Sequence, residues 1–553
     1  MPLYRSFPVA TLLLSAAVHA QTPPVGVKNA LDKERIGLLD AGKLKLTSGR
    51  CTDCASSPQS LWYFRDDVIA APAIGTLTAG VSAGVDRRDD IRQWATTPVA
   101  RTLAYPTVTW LGAPQIIDQA RIDLRGTSVT PANGAAMPLA VVPKLATNRS
   151  YANGATMAFF SERPLRMRGT STQKDGKSSF VARTIWPADY ALDGSRLSLS
   201  PIKSAGALAA FVQDKTIVND GKLTSELVWE RSPGAGRSLA GKPVLGIMLN
   251  GAQGDDDESI GGHFAVATGR FGPNGEWADW AVNNFYNLDS VSEKGIIAAT
   301  VPMDNYLMDL NSGQQYYRPS YMLVAVLKHE RTAVAYQGGV QRSLNHFYRH
   351  DLLYGAAVNN CTGLSMDVFD ALGWNVPKRG PTSPLKAVGA YAYVAAKQGS
   401  LTKGRGIYDY LTEETTRLLP AVAFDAVGLD LLRLVGAMPA PARTLSPYEL
   451  QLQDDVEAII LVKIAQLPSS RVAGAAPAMS FDDYMARVPA DQDQWQVVPV
   501  PPRPFPAALR DPATATPATA SLVPLPVATL GIAGLFGGGA WWRRRRKKAA
   551  DKV

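Results

Sequence analysis

The sequence predicts an α+β protein with a β-rich N-terminal part, a central sheet carrying one sharply bounded helix, and a helical C-terminal part. Three observations carry that prediction. From about Leu61 to Leu239, short apolar runs alternate with Gly, Pro, Asn and Asp punctuation, the pattern of short strands. Residues 240–380 combine almost wholly apolar strand-length runs with a helix bracketed by Asn360 and Gly373. From about 381 to 495, helical patterns dominate. At 553 residues, two or three domains are expected.

Residues 1–20 have the order of a secretory signal: Arg5, an apolar block from Val9 to Ala17 that is too short to span a bilayer, and small residues around a cut after Ala20. Residues 21–60 form a polar lead-in with Cys51 and Cys54 in a C-x-x-C pair. In an exported chain the pair is a disulfide candidate acting as a structural clip. No βαβ pattern surrounds it to suggest redox chemistry. Ala55 stands where haem attachment requires His, and no further zinc ligands lie nearby.

In the β-rich region, 61–239, Thr107–Leu111 and Phe180–Trp186 read as strands. Val244–Leu249, His263–Thr268, Trp277–Phe285 and Met322–Leu327 read as strands of the central region. A turn at Gly272-Pro273-Asn274-Gly275 folds the second of these back towards the third. The helix beginning beside Cys361 carries Leu364, Val368 and Leu372 four apart on one buried stripe. Beyond 381, the stretch from Tyr448 to Ile464 reads as helical. Residues 496–521 are a Pro/Ala/Thr-rich extended linker. Residues 522–548 begin with an uncharged apolar run ending at Trp541-Trp542 and close on Arg543-Arg544-Arg545-Arg546-Lys547-Lys548, the layout of a membrane-engaging tail.

The formal charge of +9 suggests nucleic acid until it is located. Arg5 carries one of these charges and the segment from Arg543 to the end carries six, so the body holds about +2. Nucleic-acid binding therefore has no compositional support.

Cys361 is the chemistry-bearing candidate. A thiol in the first turn of a helix feels the positive end of the dipole, which favours thiolate. All histidines of the mature chain precede it, and His263 is the preferred base because it starts a strand after two glycines. Folding at the 272–275 turn brings His263 opposite Asn283, Asn284 or Phe285, and either asparagine can orient the ring; Asp279 is a weaker alternative. His346 and His350 read as surface or substrate-edge residues and His329 as an exposed strand end, while Asp255–Glu258 reads as a solvated loop. No cofactor or metal site is predicted.

Two resemblances add to this. The Val523-Pro524-Leu525-Pro526 motif, the glycine-rich apolar run and the arginine cluster resemble the PEP-CTERM class of bacterial sorting signals, in its VPLPA-type variant, with Val527 where that variant favours alanine. That implies processing by an exosortase, with a permanent membrane anchor as the alternative. The protein would be exported in a Gram-negative bacterium, its body periplasmic on the inner membrane or sorted to the cell surface or extracellular matrix. The His-bearing strand, the Asn-bearing strand and the later N-C-x-x helix resemble circularly permuted papain-like folds, including permuted NlpC/P60 and lecithin:retinol acyltransferase-like proteins, over residues 240–380. That implies a cysteine hydrolase or acyltransferase acting on an envelope or extracellular amide or ester through a thioester on Cys361, with His263 as base. The competing expectation is a non-catalytic surface or matrix protein that keeps a papain-like scaffold for binding.

Overall fold

The computed structural model describes residues 24–29, 38–39, 69–72 and most of 85–487; within the last range, residues 105–107, 112–114, 142–151, 175, 215–217, 254–259, 286–298, 311, 349–351, 353–358 and 382–383 are not described. The leader, Cys51, Cys54, the 255–258 run, His350, the linker and the tail thus lie outside the described residues. Among those described, no helix is long and apolar enough to cross a membrane.

The chain is mixed α+β. It opens with the short strands β1 (Lys28–Asn29), β2 (Leu38–Leu39) and β3 (Ile69–Pro72), then helices α1 (Arg87–Ala95) and α2 (Pro98–Thr102) and strand β4 (Val108–Leu111). A five-stranded closed barrel follows, made of β5 (Gln115–Ile122), β6 (Ser128–Thr130), β7 (Met137–Val141), β8 (Leu165–Lys174) and β9 (Lys177–Pro187), with helix α3 (Gly154–Ser161) between β7 and β8. Its strand order is β5-β6-β7-β9-β8 and back to β5, with only the β7–β9 pairing parallel. This is the connectivity of a five-stranded Greek-key barrel of the OB type.

After helix α4 (Ala207–Val212), the chain builds the central sheet from β10 (Leu223–Glu230), β11 (Pro243–Asn250), β12 (His263–Arg270), β13 (Ala281–Asn284) and β14 (Ala299–Pro302). Helix α5 (Met303–Met308), strand β15 (Ser320–Leu327), and helices α6 (Arg331–Tyr348) and α7 (Cys361–Leu372) come next. Helices α8 (Pro384–Gln398), α9 (Leu401–Thr412), α10 (Thr415–Leu418), α11 (Pro420–Leu434) and α12 (Pro447–Asp455) lead to β16 (Val456–Ile464) and the final helix α13 (Phe481–Arg487). The sheet runs β10-β16-β15-β11-β12-β13-β14-β3-β4-β2.

Both faces of its centre are covered, which is why β11 and β15 are buried at every position and read as unbroken apolar runs. Leu245, Ile247, Leu249, Phe264 and Val266 join a core with α6, α7 and α11. The alternate residues Val244, Met248, Ala265 and Ala267 join the core of the barrel. The barrel is also tied on by charge. Arg166 and Arg168 of β8 each reach the buried carboxylate of Asp304 in α5 at 2.9 Å, and both also bind Asp279 at 2.7 Å.

One reading of the sequence is corrected here. Tyr448–Ile464 is not a single helix: α12 ends at Asp455 and Val456–Ile464 is a strand between β10 and β15. Its Val456, Ile459, Ile460, Val462 and Ile464 are β-branched, and burial on both faces erases the alternation that would have marked a strand. The part from 381 to 495 thus supplies a central strand to the sheet as well as helices.

Candidate functional site

Helix α7 is set by its ends. Asn360 is the N-cap: its side-chain oxygen accepts the Gly363 N–H at 2.9 Å, while its amide nitrogen donates to the Leu418 carbonyl at 3.0 Å. Gly373 closes the helix at φ 102°, where a side chain would be strained. Leu364 and Val368 are fully buried in the core and Leu372 packs against it, as the spacing predicts. These contacts fix Cys361 at the first helical position, 6% exposed.

The β11–β12 register pairs His263 with Asn250, and Asn250 pairs in turn with Ser320 of β15. The three side chains form a polar row at one end of the sheet, on the face turned to the barrel. Asn250 donates to Ser320 Oγ at 2.8 Å and accepts a hydrogen bond from the Tyr306 hydroxyl. Ser320 Oγ donates to Gln315 Oε1 at 2.7 Å. The Tyr306 ring lies 6.3 Å from that of His263.

Of the two candidate asparagines, Asn284 holds the histidine, with Nε2 of His263 lying 2.5 Å from Asn284 Oδ1. Asn283 pairs with Val266 and points to the opposite face, where its Oδ1 accepts from Thr300 Oγ1 at 2.7 Å. Asp279 takes no part, because it is engaged by Arg166 and Arg168. With Oδ1 as acceptor, Nε2 carries the ring proton and Nδ1 is left as the basic nitrogen.

The β12–β13 ladder covers only Val266 to Thr268, so the start of β12 extends beyond it. There the backbone N–H of Phe264, the residue after His263, donates to the Cys361 sulfur. Sheet and helix thus meet at one thiol.

The electrostatics of the pair are set by burial. Desolvation pushes the Cys361 thiol above its ordinary value of 9.0, outweighing the Phe264 and Thr362 hydrogen bonds and the charge of Arg318, all of which favour thiolate. The thiolate-favouring start of the helix expected from the sequence is therefore offset. Desolvation, aided by the positive charge of Arg318, holds His263 well below 6.5 against the opposing Asn284 hydrogen bond. Both groups therefore rest neutral, the imidazole on the barrel face of the sheet with Asn250 and the thiol in the core on the helix face, where it meets β12 at the Phe264 N–H.

Tyr306, Asn250, Ser320 and Arg318 are not legible as site residues in the sequence. Arg318 is buried, donates to Gln314 Oε1 through Nε at 2.9 Å and acts electrostatically on Cys361, His263 and Tyr306. The signal that comes nearest to these residues is the tyrosine-rich connection before β15, which contains Tyr306, Tyr316 and Tyr317.

His346 is a correction. It is buried, and its Nε2 lies 3.2 Å from Asp90, which also receives Arg342 at 2.6 Å. It belongs to a buried cluster joining α1 and α6 rather than to a surface. His329 is exposed. Among the described residues, no group of three His, Cys, Asp or Glu side chains is placed to hold a metal ion.

No known sequence family, curated protein or solved structure matches the chain.

Proposed function

We propose that the protein is an exported cysteine-dependent hydrolase or acyltransferase built on a papain-like core, acting on an amide or ester. The single observation carrying this reading is the ordered contact series Asn284–His263–Phe264–Cys361, in which the base is oriented and the nucleophile is docked on the same strand start. The His263 imidazole takes up the thiol proton through one bridging water at the end of the sheet as Cys361 Sγ attacks the substrate carbonyl. The same proton passes to the departing amine or alcohol, leaving a thioester on Cys361. Water, or an acceptor nucleophile, then gives its proton to Nδ1 and attacks the thioester, and the thiol is regenerated. Because burial favours both neutral forms, deprotonation belongs to the reaction with substrate rather than to a preformed ion pair.

The direct test is to incubate the full chain with an activated acyl ester and map the adduct. A thioester at Cys361 that is absent from His263→Ala supports the reading. Acylation elsewhere only, or equal acylation without His263, refutes it.

A second reading, a non-catalytic binding scaffold, is favoured by one feature. His263 is only 2% exposed and Cys361 only 6%, which suits packing as well as chemistry. On that reading neither residue acylates under any condition.

Export and membrane engagement of the tail complete the proposal, with the body in the periplasm or at the cell surface. Fractionation and the mass of the mature chain distinguish a retained anchor from a tail cut by an exosortase.

A further inference from the structure

The segment Arg471–Ser480 crosses the end of the sheet where the site lies. It is held through its backbone by the two ends of the connection between β11 and β12. Ala252, two residues beyond Asn250, donates its N–H to the Ala475 carbonyl at 2.9 Å. Ala478 donates to the carbonyl of Ile260, three residues before His263, also at 2.9 Å. The next two carbonyls along the segment are also taken: Ala476 O accepts from Arg487 Nη1 and Pro477 O from Gln213 Nε2. The Gly474 N–H donates to Gln466 Oε1 at 2.6 Å.

The floor of this crossing is glycine by necessity. A Cβ on Gly251 would lie 2.7 Å from the Ala475 oxygen, and one on Gly262 would lie 3.0 Å from the Pro477 Cβ. Gly262 is the residue before His263 and sits at φ 80°. The segment presents only Gly, Ala and Pro where it crosses, and a side chain on Gly474 would meet the Ala252 carbonyl and the Cα of Arg318. This is recognition of an extended main chain at close range, tolerant of sequence and intolerant of side-chain bulk.

We propose that the channel between residues 251–253 and 260–262 is a binding groove for extended peptides of small residues, occupied by the chain's own Gly474–Ala478, and that this occupant keeps Cys361 closed off. A peptide ligand or substrate of that class would displace the strap and enter beside His263 and Cys361. The claim that release switches on turnover rests on the thiol-enzyme reading. The claim about access does not, because alkylation requires only that a reagent reach the sulfur.

The test uses the full chain with Gly474→Leu, which the groove cannot accommodate, and the milder double variant Gln213→Ala/Arg487→Ala. Release of the strap is read as new tryptic cutting at Arg471, and iodoacetamide labelling of Cys361 is followed by peptide mapping. The expected result is at least a tenfold faster labelling in a variant with a released strap, returned towards the parent rate by an added blocked peptide of the sequence Val472–Met479. Labelling that stays within twofold of the parent despite strap release overturns the proposal. So does a rise that the peptide fails to reverse. Failure of acyl transfer with labelling behaving as expected would count against the catalytic reading alone.

Discussion

Removing the amide of Asn284 tests the site at its most specific point. In Asn284→Ala the Nε2–H of His263 loses its 2.5 Å acceptor while the ring stays buried. A buried donor left without a partner costs about 1–3 kcal/mol. If that cost falls on the oriented imidazole needed for proton transfer, it corresponds to roughly a 5- to 150-fold loss in acylation rate. Asn283→Ala is the internal control. Asn283 is equally buried and one residue away, but it serves Thr300 on the other face. It should cost about 1 kcal/mol of stability and leave acylation within about twofold, a change of less than 0.5 kcal/mol. The assay is the single-turnover rate of thioester formation on Cys361 with an activated ester, with urea midpoints recorded for each variant. If both variants slow acylation equally at matched stability, the orienting role of Asn284 is refuted and the pair is merely structural.

Four further outcomes follow from the packing and the charges. His263 resists protonation when folded, so the unfolded chain binds a proton below about pH 6.5 that the native state refuses; stability should fall as pH drops from there towards the depressed folded value, and His263→Ala should flatten that limb in urea titrations. Cys361 acts at the other end, since the unfolded thiol ionises near pH 9.0 while the folded one holds its proton, so stability is lost as pH rises past 9.0 and Cys361→Ala should reduce that loss. Asp304→Ala leaves Arg168 buried with only Asp279, and urea unfolding should show a loss of about 3 kcal/mol, the low end for breaking a buried pair because one partner survives. Gly373→Ala forces a side chain into the left-handed region and should destabilise by about 1–2 kcal/mol, seen as a lower Tm with acylation of the folded protein unchanged.

Helix α7 was legible from local chemistry, because its cap, apolar stripe and terminating glycine all act within a dozen residues and need no knowledge of distant partners. The strand runs around Val244, His263 and Met322 were legible for a similar reason: apolar length and flanking turns mark them whatever they pair with. The choice of His263 as the partner of Cys361 rested on composition and order, and the structure brings its strand to the thiol. What remained open was decided by pairing. Asn283 and Asn284 differ by one residue in sequence and by a whole face in the sheet, and only the register of β13 on β12 assigns Asn284 to His263. The strand Val456–Ile464 was hidden because burial on both faces leaves an apolar run that a helix could equally supply, and its partners β10 and β15 lie more than a hundred residues away. Tyr306, Arg318 and the strap at Gly474–Ala478 owe their places to the same long-range assembly. Burial also settled the sign of the thiol shift. The dipole at the start of a helix is a local property, but the desolvation that outweighs it exists only once helices, sheet and loops have closed around Cys361.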